Sequence, residues 1–212
     1  MTTEELRGGL RERKKQRTRR DLVAASLALC AERGFDTATL DDIAARADVS
    51  KRTFFRFFAA KEEAVLAPEA ELFDAMLDGL REHPLRGPLI DDLRDVVLHA
   101  LDGRDTQWHA RFATALGIIR ASSTVQAAAL RHCALTTDRA AEALRERMAA
   151  EPGEDPMTRL TVDVFVAAWR AASERWSRDG APDPAALRRL ANESFARVAR
   201  IPGHTLTTEQ PP

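Results

Sequence analysis

Lys51, Arg52, Thr53 and Arg56 fall on the outward side of a short helical pattern that opens at Lys51. Two cations and a hydroxyl in a helix's first turn are the groups that meet phosphates and base edges in a DNA major groove. A solvated face would carry the same charges. On a helix taken alone that plainer reading is the better one, and the cap and turn before this helix count against it. No catalytic set competes with it: the sequence lacks a phosphate-cradling glycine loop, a Gly-x-Ser-x-Gly elbow and a His-Glu-x-x-His pair. Its paired acids, Asp41-Asp42 and Asp91-Asp92, are adjacent helix positions that point apart. An enzyme is not expected.

The elements that position this face are read from the flanking residues. Thr39 with Asp42 three residues on forms a capping-box start, so a helix should begin near Leu40 and bury Leu40, Ile43, Ala44 and Ala47. The period breaks at Asp48-Val49-Ser50. Asp tolerates the left-handed backbone of a sharp turn, Val49 can plug the gap, and Ser50 is a good N-cap. The next helix, Lys51 to Phe57 or Phe58, can bury Phe54 and Phe58, leaving Phe55 outward with the basic residues. An earlier helix from Thr18 should bury Leu22, Ala25, Ser26, Leu29 and Cys30 and end at Gly34, after which Phe35 turns inward.

Charge agrees with this division. Residues 1–61 hold 14 Lys and Arg against 9 Asp and Glu, whereas the remainder holds 18 against 24, within an overall charge of −1. Residues 1–17 carry six cations from Arg7 to Arg17 and little apolar periodicity, which predicts a flexible basic arm, either a solubilising tail or a contact to phosphates or the minor groove. From Lys61 a longer helix should reach about Glu82 on Val65, Leu66, Leu72, Phe73, Met76 and Leu80. Helical patterns follow at about 88–101, 105–121, 124–149, 157–178 and 184–200, with no alternating strand pattern. A tail is expected at 202–212. The 212 residues, 44% hydrophobic, can bury a substantial core. No apolar run suits a secretory signal or a membrane span, so a cytoplasmic protein with no membrane partner is expected. Cys30 and Cys133 read as buried thiols, neither disulfide nor metal ligands.

The run from about Arg19 to Leu66 resembles the tetracycline-repressor (TetR) family of transcriptional regulators. The residues that carry the resemblance are L-V-A-A-S-L-A-L-C-A-E-R-G-F, T-L-D-D-I-A-A-R-A and V-S-K-R-T-F-F-R-F-F-A-A-K-E. Three departures stand out. Asp48 replaces the usual Gly, Cys30 the usual aromatic, and Phe55 and Phe57 the usual Tyr, or Tyr and His, whose polar atoms bond phosphates. The chain has no Tyr anywhere, so the last change also fits a compositional bias.

The resemblance implies an all-α fold of about nine helices. A helix-turn-helix DNA-binding domain would occupy 18–60, and a helical effector-binding and dimerisation domain 61–201. It implies a homodimer on a pseudo-palindromic double-stranded operator, released by a small-molecule effector, with no cofactor. The DNA-binding candidates are then Arg19, Thr39, Lys51, Arg52, Thr53, Phe55, Arg56, Phe57 and Lys61, with Lys61 a phosphate clamp at a helix N-terminus. For an apolar effector the candidates are Trp108, His109, Phe112, His132, Cys133, Thr161, Phe165 and Trp169, many of which would serve equally as core. Leu160, Val164, Ala168, Ala171 and Ala172, with Leu187, Leu190, Ala191, Ser194 and Val198, form stripes suited to a dimer face or to a monomer core. A coactivator or ligand-binding subunit of the same fold, without specific DNA binding, is the alternative.

Overall fold

The computed structural model describes residues 3–148, 156–178 and 183–201; the expected tail at 202–212 lies outside them. Among the described residues all regular elements are helical: α1 (Thr3–Arg33), α2 (Leu40–Arg46), α3 (Lys51–Phe57), α4 (Lys61–Glu82), α5 (Leu89–Asp102), α6 (Thr106–Ala121), α7 (Ser123–Met148), α8 (Pro156–Arg178) and α9 (Pro184–Val198). The chain forms two compact units. Residues up to 71 pack with 105–134, and residues 72–104 pack with the described residues from 135 onward. α6 and the start of α7 share a core with α1 to α3.

In the first unit Leu22, Leu29 and Cys30 of α1 meet Ile43 of α2, Phe54 of α3, Val65 and Leu66 of α4, and Ile118 and Val125 from α6 and α7. Burying each large side chain contributes about 1.5–3 kcal/mol. Ser26 is accommodated among them because its hydroxyl donates to the Leu22 carbonyl at 2.8 Å. Gly34 stops α1 in the left-handed region, φ 84°, and its N–H donates to the Cys30 carbonyl. Phe35 then returns to the core.

The N-terminal segment expected as a flexible arm is helical from Thr3. Residues 3–17 continue α1 and do not form a separate irregular arm. Glu, Leu, Arg and Lys are good helix formers, and adding turns to a helix already nucleated by the packed Leu22–Cys30 segment avoids the cost of a new nucleus.

α4 runs through Pro68 without ending. Proline has no N–H to give to the preceding turn. Its carbonyl accepts a hydrogen bond from outside the helix, from the indole N–H of Trp108 on α6 at 3.0 Å.

In the second unit Phe165 of α8 stacks on Phe195 of α9, centroids 5.1 Å apart and rings 9° from parallel. The indole N–H of Trp176 donates to the Asp183 carbonyl at 2.9 Å, and the Asp183 carboxylate caps α9 at the Ala185 and Ala186 amides. Arg188 ties α9 to Asp102 of α5, and Arg147 donates to the His83 carbonyl beyond the end of α4. The proposed dimer stripes are only partly free. Ala168, Ala172, Leu187, Leu190 and Ala191 are buried within the protomer, whereas Leu160 and Ala171 are exposed and Val164, Ser194 and Val198 half-buried. α8 and α9 use their inward faces on each other, which leaves the outer residues of each stripe available.

Candidate nucleic-acid interface

The capping box forms as the sequence predicts. The Asp42 N–H donates to the Thr39 hydroxyl oxygen at 3.1 Å, while the Thr39 hydroxyl and N–H donate to the Asp42 carboxylate at 2.7 and 3.3 Å. These bonds hold the Asp42 carboxyl below its ordinary pKa, the hydroxyl bond contributing most. α2 ends at a turn in which Asp48 has φ 52°, the left-handed backbone that Gly would adopt without strain. The Val49 N–H then returns to the Ala44 carbonyl at 2.9 Å, and Val49 packs against the core. Ser50 caps α3, accepting from the Thr53 N–H at 3.1 Å. Phe54 and Phe58 anchor the helix from beneath, their rings 5.6 Å apart.

That anchoring fixes which side of α3 faces outward. Lys51, Arg52, Phe55 and Arg56 are exposed, and Thr53 and Phe57 are half-buried. Lys51 forms an exposed ion pair with Asp41 at 3.1 Å, worth about 0–1 kcal/mol and so readily exchanged for a phosphate. Arg56 lies over the Phe57 ring at 5.2 Å. The Arg52 guanidinium makes no hydrogen bond or ion pair among the described residues, so all five of its donors remain for a partner. The Thr53 hydroxyl shares a 3.0 Å hydrogen bond with that of Ser50.

The three phosphate candidates outside α3 stand differently. Lys61 is half-buried; its ammonium donates to the carbonyls of Phe35 at 2.5 Å and Ala38 at 2.7 Å and lies 4.0 Å from the centre of the Phe35 ring. It braces the loop that leads into α2. Arg19 donates to Glu71 at 2.6 Å and lies over Phe58 at 5.2 Å. Thr39 is occupied by its capping box. Each of these side chains is engaged within the first unit.

The effector candidates fall into two groups. In the first unit Trp108 and Phe112 are fully buried and stacked at 4.9 Å, and His109 meets Trp108 edge to face at 5.0 Å. His109 Nδ1 is paired with the Asp105 carbonyl at 2.9 Å, and His132 and Cys133 are half-buried on α7. In the second unit Phe165 and Trp169 are buried, and the Thr161 hydroxyl donates back to the Met157 carbonyl of its own helix. Two residues escaped the sequence reading. Pro68, whose carbonyl Trp108 binds, was passed over within a helical pattern that it did not interrupt. Beside it Glu69 is half-buried, and burial of its carboxyl raises its pKa to about 7. A lone Glu in an amphipathic helix gives no sequence signal of that.

Comparison with known proteins agrees with this geometry. The sequence model of bacterial regulatory proteins of the tetR family matches residues 22–67, which span the packed part of α1 through the first turns of α4. The HTH-type transcriptional regulator TcmR of Streptomyces glaucescens is 31% identical over 179 residues, covering 79% of this chain and 76% of that protein. Two solved structures share the fold. FadR of Thermus thermophilus, a TetR-family transcriptional repressor in complex with lauroyl-CoA, has TM-score 0.53 at 20% identity, covering 92% of this chain and 98% of its own. SmeT, the repressor of the Stenotrophomonas maltophilia multidrug efflux pump SmeDEF, has TM-score 0.52 at 19% identity, covering 85% and 89%. On its similarity to TcmR over most of its length, and on the family match across the helix-turn-helix, this chain belongs to the TetR family of transcriptional regulators.

Proposed function

We propose that the protein is a ligand-responsive repressor that binds a pseudo-palindromic operator as a homodimer and leaves it when a small, largely apolar effector binds. The observation that carries the DNA half of this reading is the face of α3. Lys51, Arg52 and Arg56 are exposed on a helix whose opposite side is locked into the core by Phe54 and Phe58. Residues 18–60 read DNA in this account, and residues 61–201 hold the effector and the dimer contacts. One recognition helix reads too few base pairs to select a genomic site. Two-fold pairing doubles the site and sets the helices about 34–36 Å apart on DNA. Leu160 and Ala171, exposed on α8, support a helix-to-helix dimer contact.

The effector half rests on residue chemistry. Taken unit by unit, Trp108 and Phe112 are the apolar candidates and His109, His132 and Cys133 the polar ones in the first, and Phe165 and Trp169 stand with Thr161 in the second. FadR, a repressor of the same fold, was solved with lauroyl-CoA, and SmeT represses an efflux pump. A ligand that binds better to the form with badly spaced recognition helices drives release, and the coupling is reciprocal. A coactivator without specific DNA binding is favoured by one observation, the lack of polar atoms at Phe55 and Phe57. A mobility-shift assay on the DNA upstream of the protein's own gene separates the two. A shift that survives excess unrelated duplex supports the repressor, and its absence supports the coactivator. Small apolar compounds titrated against the complex then test release.

A further inference from the structure

We propose that Phe55 reads a thymine methyl group in the major groove and so sets one base of the operator. The inference rests on the DNA-binding reading of α3 and deepens it. Phe55 is 50% exposed, whereas Phe54 before it is fully buried. Its outward companions Lys51, Arg52 and Arg56 are all cations. The half of the ring that faces water gains nothing for the free protein. The ring is also held in position, edge to face on Phe54 with centroids 5.7 Å apart and planes at 87°. A ring fixed by packing on a buried neighbour meets its partner with little further ordering cost.

The chemistry of DNA narrows what that partner is. Phe has no donor, and its π-face is electronegative, so a phosphate against it would lose water and gain nothing in return. A sugar would accept the ring, but sugars carry no sequence information. The thymine methyl is the apolar group that base edges present in the major groove. Arg52, with its guanidinium unengaged, stands three residues before Phe55, about 4.5 Å along the helix axis at 1.5 Å per residue. Successive bases of one strand are about 3.4 Å apart. The thymine therefore lies within one or two base pairs of the base that Arg52 meets.

The test uses the full-length protein and a duplex enriched on it from a randomised pool. Each thymine of that duplex is replaced in turn by deoxyuridine, which deletes only the methyl group. The wild-type protein should lose about fourfold in affinity at one position of each half-site, the equivalent of one buried methyl-sized group. Phe55→Ala should bind the thymine and uridine duplexes equally. A wild-type scan with no sensitive position overturns the proposal, whatever the variant does. A Phe55→Ala protein that keeps the methyl preference also overturns it. A pool that never converges overturns the DNA-binding reading and this proposal together, whereas convergence with indifference to the methyl overturns the proposal alone.

Discussion

Replacing Lys61 by Met separates a brace from a phosphate clamp. Met keeps the apolar stem and removes the ammonium, and with it the bonds to the Phe35 and Ala38 carbonyls at 2.5 and 2.7 Å and the contact with the Phe35 ring. A hydrogen bond from a charged donor contributes about 1.5–3 kcal/mol, and a cation over an aromatic face about 0.5–1 kcal/mol. Lys61 is half-buried, so water reaches the freed carbonyls in part and the net loss should be about 2–4 kcal/mol. The assay is urea unfolding followed by circular dichroism, with hydrogen exchange of the α2 amides as a local readout. α2 should exchange faster in the variant, because its entry loop has lost its tie to α4. Affinity for unrelated duplex is measured alongside as a function of salt. A phosphate clamp lost from each protomer would make that slope shallower by about one per site. Unchanged stability together with a shallower slope would refute the bracing role and restore Lys61 as a clamp.

Arg52→Ala should cost roughly 1–3 kcal/mol on the selected operator and relax base preference at one position, measured by competition among single-base variants. An unchanged preferred sequence would transfer base contact to Lys51. Glu69 gives a pH dependence whose sign follows from its pKa, raised by burial to about 7 from 4.5. Between those values the unfolded chain has released a proton that the folded chain retains. Stability contributed through this group is therefore present at low pH and falls as pH rises, by on the order of 3 kcal/mol at most. Glu69→Gln should flatten that fall, seen as urea midpoints that converge at pH 5 and favour the variant at pH 8; parallel profiles would contradict it.

The helix-turn-helix was legible because its determinants are local. Thr39 with Asp42, Asp48 in the left-handed turn, and Ser50 before Thr53 each act within three residues, and the structure forms all of them. Contacts that close over long separations were not legible. The carbonyls that hold Lys61 lie 26 and 23 residues earlier, and the one that holds the Trp108 indole lies 40 residues earlier. Their positions depend on how helices pack. Periodicity likewise could not divide the α8 and α9 stripes between protomer core and outer face, since Ala168 and Ala171 carry the same side chain and only the first is buried. At the N-terminus the absence of an apolar stripe pointed to an irregular arm. A helix that continues from a packed segment needs no such stripe.

In the proposed function two copies of this chain read two half-sites with the exposed face of α3. The most direct measurement is fluorescence anisotropy on a labelled duplex carrying the selected operator, beside a duplex in which about five base pairs, half a helical turn, are inserted between the half-sites. Two protomers per operator are expected, with a large loss of affinity on insertion and recovery when the insertion is extended to a full turn of about ten base pairs. One protomer per duplex, or equal affinity for all three spacings, would contradict it.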